Sequence, residues 1–181
     1  MFNFLKLLKL LTLLKNTSNE DSAGKCLIES DSTLSIAESC TGGLVSSLMT
    51  DVSGSSSYTK ANFVTYANEA KNKYLGVKEE TLKEYGAVSR QTAKEMVEGL
   101  FEKTGSDYAL ATTGIAGPTG GTKEKPVGLV YIGVGQKENG KIKVYKYNVN
   151  PKFPRILIKY MFAKHAVKIL ADFLGGKKEY D

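Results

Sequence analysis

Three short polar segments interrupt the apolar runs of this chain, and each follows a stretch with the character of a β-strand. They read AESCTGG (37–43), TYANEAK (65–71) and TGIAGPTGG (113–121). In an α/β sheet, the loops that follow the carboxyl ends of parallel strands lie at one edge and form ligand crevices. A serine hydroxyl, a lysine amine with a phenol nearby, and a glycine-rich loop are together the components of a Ser/Lys-type amide-cleaving site.

The order of strand-like and helix-like patterns predicts the fold class. Strands are expected at 33–37, 63–67, 108–111, 127–134 and 142–149, and helices at 42–52, 68–75, 79–85, between Ser89 and Gly105, and at 155–174. This order indicates an α/β fold with a mostly parallel mixed sheet. The Asn139-Gly140 pair between the last two strands predicts a tight turn and therefore one antiparallel hairpin.

Composition bounds the partners. A chain of 181 residues with 41% hydrophobic and 24% charged residues is expected to form one globular domain. The net charge of +6 comes from scattered lysines. It suits a solubilising surface or a small anionic substrate, and no nucleic-acid partner is expected. The single histidine, His165, and the isolated Cys26 and Cys40 lack metal-ligand spacing, so no metal site is expected. Unpaired cysteines fit a cytoplasmic location.

The first residues differ in character from the rest. In the run 2–15 a polar residue occurs at every third position, so these residues spiral around a helix instead of forming one polar face. The run is too short and too rich in lysine to span a bilayer. It is expected to pack on the domain or on a second subunit of a homo-oligomer, or to contact a membrane surface weakly. A poorly ordered extension or a targeting segment is the remaining alternative.

The domain boundaries follow from these composition changes. Residues 16–22 have the composition of a loop or linker. The chain is therefore divided into an N-terminal apolar extension and linker (1–24), a domain (25–176) and a charged tail (177–181).

Ser39 has the position expected of a nucleophile. A strand that leads through a Ser/Gly turn into a helix places Ser39 at the carboxyl edge of the sheet, beside N–H groups that suit an oxyanion. The segment from Thr41 to Gly43 would supply these N–H groups, with Thr41 as the helix N-cap. The alternative is a capped turn in which Ser39 bonds only to the backbone. Cys40 is a rival nucleophile, but it needs a thiolate and a base, and His165 is expected on a helix face.

Lys71 is the candidate general base. Only about 0.04% of a lysine with a pKa near 10.4 is neutral at pH 7, and lowering that pKa to 7 requires roughly 4.6 kcal/mol. Burial and a helix N-terminus both lower a lysine pKa, and with Asn68 as the N-cap Lys71 would stand in the first helical turn. Tyr66 would relay the proton through a hydrogen bond to Lys71 or Ser39. The alternative for Lys71 is an ordinary surface lysine, and the alternative for Tyr66 is a half-buried aromatic residue of a strand.

The glycine-rich loop is the third candidate element. Its sequence is neither a phosphate-binding Walker A loop nor a dinucleotide-binding fingerprint, but its backbone N–H groups can form a nest for an anion. Lys123 or Lys125 would contact a phosphate, or would remain solvated. The candidate contacts from this region are Thr113, Gly114, Ala116, Gly117 and Lys125.

Taken together, these segments resemble the C-terminal domain of the CinA family, whose stand-alone members include nicotinamide mononucleotide deamidases of the PncC type. The matching stretches are AESCTGG (37–43), GSSSY (54–58), FVTYANEAK (63–71), GAVS (86–89), TGIAGPTGG (113–121) and KPVG (125–128). The resemblance implies a three-layer α/β/α sandwich. It implies hydrolysis of the carboxamide of nicotinamide mononucleotide to nicotinate mononucleotide and ammonia, with no cofactor and no metal.

The resemblance also implies residue roles. Ser39 is the expected nucleophile, Tyr66 and Lys71 assist it, and Ser56 belongs to the pocket. The family's usual Gly-Asp-Arg segment before the last helix reads Phe153-Pro154-Arg155 here, so Arg155 remains as the candidate phosphate contact. The other expected substrate contacts are Cys40, Thr41, Gly42 and Gly43. Two alternatives stay open: a non-catalytic nucleotide-binding or competence-associated module, and an amidase with another substrate.

Overall fold

A computed structural model describes residues 18–176 of the chain. The helices are α1 (Ser18–Glu29), α2 (Leu44–Thr50), α3 (Asn68–Leu75), α4 (Glu79–Glu84), α5 (Arg90–Thr104) and α6 (Arg155–Leu174), with a 3-10 turn at Ser55–Ser57. The strands are β1 (Leu34–Glu38), β2 (Thr59–Val64), β3 (Tyr108–Gly114), β4 (Leu129–Gln136) and β5 (Lys141–Asn148). The predictions made for 1–17 and 177–181 lie outside the described residues. Within residues 18–176, no helix has the length and apolar run that crossing a bilayer requires.

The five strands form one mixed sheet in the order β2-β1-β3-β4-β5. β1 pairs in parallel with β2 and β3, whereas β4 pairs antiparallel with both β3 and β5. The sequence LSIAE suits β1 because all five residues are buried, as expected for an inner strand covered on both faces. The predicted α/β class is confirmed, and the antiparallel part includes β3–β4 in addition to the predicted hairpin.

Helices cover both faces of the sheet, and the alternation of side chains along the strands divides the core in two. Ile36 and Leu110 belong to the core under α1, α2 and α6, where Phe162 of α6 joins them. The neighbouring Ala37 belongs to the second core, under α5, with Val97 of that helix. The result is the three-layer sandwich that the resemblance implied.

A glycine sets the approach of α3 to α5. A Cβ atom at Gly99 would lie 1.9 Å from the carbonyl oxygen of Leu75, far inside van der Waals contact. Only glycine allows this approach, which brings α5 against the C-terminal end of α3. Because α3 carries Lys71, this contact helps to determine where that lysine lies.

The N-terminal boundary differs from the prediction. The helix α1 begins at Ser18, so the predicted loop at 16–22 is wrong over its described part, and the division between residues 24 and 25 falls inside a helix. Ala23 and Leu27 are fully buried because α1 packs on α6. The acidic residues in the first turn of α1 favour a helix N-terminus, so a polar composition here marks a helix start.

Two further predicted element boundaries also shift. The helix α2 begins at Leu44, and Gly43, with a φ of 97°, occupies the N-cap position instead of Thr41. The Thr41 hydroxyl lies 2.8 Å from that of Thr112, so it is bonded to β3 and not to the helix. The strand β2 ends at Val64, before the predicted end at residue 67.

Candidate active site

Ser39 stands at the carboxyl end of the inner strand β1, as predicted. It follows Glu38, the last residue of β1, and its N–H donates to the carbonyl of Thr112 on β3 at 3.0 Å. The turn then closes through a bond from the Gly42 N–H to the Ser39 carbonyl at 3.2 Å. Ser39 is 8% exposed, so its environment is almost free of solvent. Backbone pairing on both sides therefore holds the hydroxyl at the sheet edge.

The Glu38 side chain, from the end of β1, binds the free N–H groups at the N-terminus of α2. The fully buried carboxylate of Glu38 accepts from the N–H groups of Gly43 (2.9 Å), Val45 (3.1 Å) and Ser46 (2.8 Å). The Ser46 hydroxyl adds a fourth bond at 2.6 Å. A carboxylate at a helix N-terminus satisfies N–H groups that have no partner within the helix.

This arrangement occupies two of the three N–H groups predicted for the oxyanion site, those of Gly42 and Gly43, and leaves that of Thr41 as a candidate. The Gly43 N–H is bonded to Glu38, and the Gly42 N–H is bonded to the Ser39 carbonyl. These two groups are therefore not available to an oxyanion in this conformation. The Glu38 carboxylate instead stabilises the turn that carries the nucleophile candidate.

Lys71 meets Ser39 directly. Its Nζ lies 3.0 Å from the Ser39 Oγ, 2.8 Å from the carbonyl oxygen of Thr65 and 3.2 Å from that of Tyr66. The side chain is fully buried, and it has no ion pair among the described residues. The three oxygens match the three N–H donors of the ammonium form, with Lys71 donating to the Ser39 Oγ. In the neutral form, two N–H groups can keep the carbonyl bonds while the lone pair accepts from the Ser39 hydroxyl.

The pKa of Lys71 is shifted in the direction that general-base catalysis requires. Burial lowers it from the ordinary 10.5 to about 8, because the charged ammonium loses its hydration. The Cys40 thiol would raise the Lys71 pKa only as a thiolate, and burial raises the pKa of Cys40 to about 12. At neutral pH Cys40 is thus an uncharged thiol, and it is a weaker nucleophile candidate than Ser39.

The helix geometry around Lys71 differs in detail from the prediction. Asn68 is the first residue of α3, and the capping position is Ala67, which has no side-chain bond to the helix. Lys71 is then the fourth helical residue, with its N–H donating to the Ala67 carbonyl at 3.2 Å. Desolvation is therefore the main cause of the lowered pKa.

Tyr66 does not place its phenol on Lys71 or Ser39, and this part of the prediction is wrong. The residue is 60% exposed, and its hydroxyl accepts from Arg155 at 2.9 Å. Only its carbonyl reaches Lys71. The physical reason is that β2 ends at Val64, so Tyr66 lies in the loop and turns its ring towards α6.

Arg155 connects two of the predicted segments. Its guanidinium donates to the Gly117 carbonyl at 2.5 Å and to the Tyr66 hydroxyl at 2.9 Å. The planar guanidinium offers several N–H groups in a fixed fork, so it can hold both partners at once. Arg155 thus joins the glycine-rich loop to the loop before α3.

The polar side chains in and next to the glycine-rich loop are hydrogen-bonded to backbone carbonyls of the segment 85–87. The Thr113 hydroxyl donates to the Ala87 carbonyl at 2.7 Å, and the Lys125 amine donates to the Tyr85 carbonyl at 2.5 Å. Both polar groups expected to contact a ligand are therefore bonded to backbone. The remaining expected contacts are close-packed: a Cβ at Gly114 would lie 2.5 Å from the Leu129 carbonyl oxygen, and Ala116 and Gly117 are buried.

Ser56 lies near the amino end of β1, whereas Ser39 follows its carboxyl end. It is exposed in the turn that precedes Thr59, and Thr59 pairs with Leu34 at the amino end of β1. Ser39 follows the opposite end of that strand. The placement of Ser56 in the pocket is therefore wrong for a single chain, because the turn comes before its parallel strand and not after it.

His165 is a helix residue, as expected. Its ring stacks on Tyr147 of β5, with ring centroids 3.6 Å apart and an interplanar angle of 10°. Two strands, β3 and β4, separate β5 from β1. Burial and the nearby Lys168 lower the pKa of His165. This histidine makes no hydrogen bond to Ser39 among the described residues.

The structure adds residues that the sequence did not point to. The carbonyl of Thr65 accepts a bond from Lys71, while its buried hydroxyl has no partner among the described residues. Lys159 of α6 lies beside Gly42, with its Nζ 3.2 Å from the position of a Cβ there. The only signal for Lys159 is its spacing of four residues from Arg155, which places both on one helix face.

Comparison with known proteins gives a consistent family assignment. The model of the CinA C-terminal domain matches residues 16–174. A CinA-like protein of Endomicrobium trichonymphae is 57% identical over 126 residues, which are 70% of this chain and 29% of that protein. A putative competence-damage inducible protein of Clostridium novyi is 55% identical over 124 residues, which are 68% of this chain and 30% of that protein. The chain spans less than two fifths of the curated relatives that it matches, from 29% to 38%.

Solved structures share the fold over nearly their whole length. The competence/damage inducible protein CihA of Agrobacterium tumefaciens has a TM-score of 0.79 at 38% identity, covering 87% of this chain and 96% of that one. A CinA superfamily protein of Klebsiella pneumoniae has a TM-score of 0.83 at 28% identity, covering 90% of this chain and 99% of that one.

Proposed function

This chain belongs to the family of the CinA C-terminal domain, and we propose that it hydrolyses the carboxamide of nicotinamide mononucleotide to nicotinate mononucleotide and ammonia. Ser39 is the nucleophile and Lys71 is the general base in this proposal. The relatives reported above carry names that refer to CinA or to competence and damage. The activity therefore rests on the chemistry of the site and on the sequence resemblance.

One observation carries the proposal. The Lys71 Nζ lies 3.0 Å from the Ser39 Oγ in a buried environment, and its pKa is lowered to about 8. A surface lysine would be protonated almost completely at pH 7, whereas a lysine with this pKa is neutral in about 9% of molecules. A buried amine without a carboxylate partner is costly to maintain, and its contact with a hydroxyl supports a catalytic role.

The reaction proceeds in two stages. Lys71 accepts the Ser39 proton while Oγ attacks the carboxamide carbon, and the Lys71 ammonium then donates that proton to the departing nitrogen, which leaves as ammonia. Water attacks the resulting ester with Lys71 as base, and the returned proton restores the Ser39 hydroxyl. The products are the carboxylic acid and ammonia, so atoms and protons balance.

The tetrahedral intermediates carry negative charge that must be stabilised. Because the Gly42 and Gly43 N–H groups are already bonded, the ammonium formed on Lys71 in the same step is the group that we assign to this role. Exclusion of water strengthens this electrostatic interaction, and Ser39 and Lys71 are both buried.

The test is ammonia release from nicotinamide mononucleotide by the wild type and by Ser39→Ala and Lys71→Ala. Each variant is expected to lose at least about a thousandfold in kcat, since the two groups act as one unit. Lys73→Ala is the matched control, because Lys73 is an exposed lysine two residues further along α3. Undiminished turnover in either site variant rejects the assigned role.

The substrate class is tested with the same protein. Nicotinamide, its riboside and its mononucleotide separate recognition of the ring from recognition of the phosphate. Turnover of the mononucleotide with little turnover of the other two supports the proposal. Tight binding of the mononucleotide without any ammonia release would favour the non-catalytic nucleotide-binding alternative.

A further inference from the structure

The side chain of Thr65 is a buried polar group that the mechanism above does not use. Thr65 is 1% exposed, and its hydroxyl has no hydrogen-bond partner among the described residues. A buried hydroxyl without a partner lowers the free energy of unfolding, and native proteins contain few of them. A contribution to stability therefore does not explain this hydroxyl.

Thr65 lies directly beside Ser39 in the sheet. Its N–H donates to the Glu38 carbonyl at 2.8 Å, so the parallel pairing of β2 with β1 continues for one residue and places Thr65 next to Ser39. Two residues earlier on each strand, Phe63 and Ala37 belong to the core under α5. Because side chains alternate along a strand, those of Thr65 and Ser39 face this same side of the sheet, and neighbouring strands are only about 5 Å apart.

The general base is bonded to the same residue. The Lys71 Nζ donates to the Thr65 carbonyl at 2.8 Å and lies 3.0 Å from the Ser39 Oγ. In the proposed reaction Lys71 gives its proton to the departing nitrogen, so this nitrogen comes within hydrogen-bond distance of Nζ. It carries further N–H groups that need acceptors, and the carbonyls of Thr65 and Tyr66 already accept from Lys71. The Thr65 hydroxyl oxygen has two lone pairs to offer.

We propose that the Thr65 hydroxyl is a further catalytic group of this site. It accepts a hydrogen bond from the carboxamide nitrogen as this nitrogen leaves, and then from the water that attacks the Ser39 ester. Thr65 itself gains and loses no proton, so the path of the proton from Ser39 through Lys71 to the nitrogen is unchanged. The amide part of the proposal rests on the proposed function, whereas the water part is testable with any ester that acylates Ser39.

Two other roles for the hydroxyl make different predictions. A hydroxyl that only fills space can be replaced by a methyl group without loss of activity. A hydroxyl that donates to the oxyanion assists acylation by an ester as much as hydrolysis of the acyl-enzyme, because both steps form the same negative charge. An acceptor for nitrogen and water affects ammonia release and acyl-enzyme hydrolysis, but not acylation by an ester with a good leaving group.

Thermal unfolding separates a catalytic role from a structural one. Thr65→Val removes the hydroxyl and keeps the branched shape, and it is expected to raise the melting temperature by about 2 to 4 °C because an unpartnered polar group is lost. Thr81→Val is the matched control, since Thr81 of α4 is also buried but its hydroxyl donates to Glu95 at 2.6 Å. This control is expected to melt at a lower temperature than the wild type.

Activity is measured in two assays. In Thr65→Val, kcat for ammonia release from nicotinamide mononucleotide is expected to fall about 10- to 100-fold, whereas Thr65→Ser restores most of it and Thr81→Val keeps the wild-type value. With p-nitrophenyl acetate, after subtraction of the Ser39→Ala rate, a burst of p-nitrophenolate reports acylation of Ser39 and the steady rate reports hydrolysis of the acetyl ester by water. Thr65→Val is expected to keep the burst and to lower the steady rate about 10- to 100-fold.

Each outcome decides the proposal. An unchanged kcat for ammonia release in Thr65→Val overturns it and leaves the deamidase proposal intact, as does an equal loss in Thr65→Val and Thr65→Ser. A lower melting temperature in Thr65→Val, or a burst slowed as much as the steady rate, also overturns it. If the wild type releases no ammonia, the deamidase proposal fails and the ester assay decides alone. A slower steady rate in Thr65→Val then supports the role of the hydroxyl, and an unchanged rate, or no Ser39-dependent reaction, overturns it.

Discussion

Replacing Lys71 by methionine tests the central physical claim through protein stability, independently of any substrate. The folded state lowers the Lys71 pKa from 10.5 to about 8. A group with a lowered basic pKa opposes folding at every pH at which the unfolded chain would protonate it. Below about pH 8 both states carry the proton, and the folded state bears the full penalty. Between about 8 and 10.5 the unfolded chain binds more protons, so stability rises with pH.

The magnitude follows from the same two pKa values. A difference of 10.5 against about 8 corresponds to about 3 kcal/mol, most of which is recovered by pH 10.5. Between pH 7 and 9.5 the contribution of Lys71 should improve by about 2 kcal/mol. Lys71→Met keeps a similar shape and removes the titrating group. It also leaves two carbonyls without a donor, so its absolute stability is a poor measure.

The assay therefore compares the free energies of unfolding of the two proteins at each pH. Urea unfolding of wild type and Lys71→Met at pH 7, 8, 9 and 9.5 gives the free energy of unfolding of each, and other titrating groups cancel in the subtraction. The wild-type value is expected to gain about 2 kcal/mol on the variant over this range. A difference that stays constant within error would refute the lowered pKa and, with it, the neutral base.

Three further predictions concern other parts of the site. Iodoacetamide at pH 7.5 is expected to modify Cys26 faster than Cys40 in the native protein, because burial raises the Cys40 pKa to about 12; mass spectrometry detects the difference, and equal native rates would contradict it. Glu38→Gln is expected to lower the free energy of unfolding by about 2 kcal/mol and to lower kcat, because an amide oxygen cannot accept all four bonds that the carboxylate accepts. An unchanged melting temperature would contradict the stabilising role of the carboxylate. Gly99→Ala is expected to destabilise by about 3 kcal/mol or more, because its Cβ would lie 1.9 Å from a backbone carbonyl; Gln91→Ala on the exposed side of α5 is the control, and equal stability of the two would argue against the close contact.

Local sequence signals predicted the elements that depend on short-range chemistry. The alternation of patterns indicated α/β, the Ser89 cap and Gly105 marked both ends of α5, and the Ser/Gly turn after a strand located Ser39. The helix start at Ser18 was missed because a polar first turn resembles a linker in composition. Such errors are expected where a helix depends on tertiary packing against α6 for its stability.

The sequence by itself determined that a serine hydroxyl and a lysine amine each follow a strand. It could do so because strand ends and turns depend on only a few neighbouring residues. Tertiary structure alone decided which groups meet: Lys71 reaches Ser39, Tyr66 turns to Arg155, Glu38 occupies the N–H groups of α2, and Ser56 lies at the opposite edge. These outcomes depend on side-chain direction and burial between elements distant in sequence, and neither the spacing of residues nor their propensities records that information.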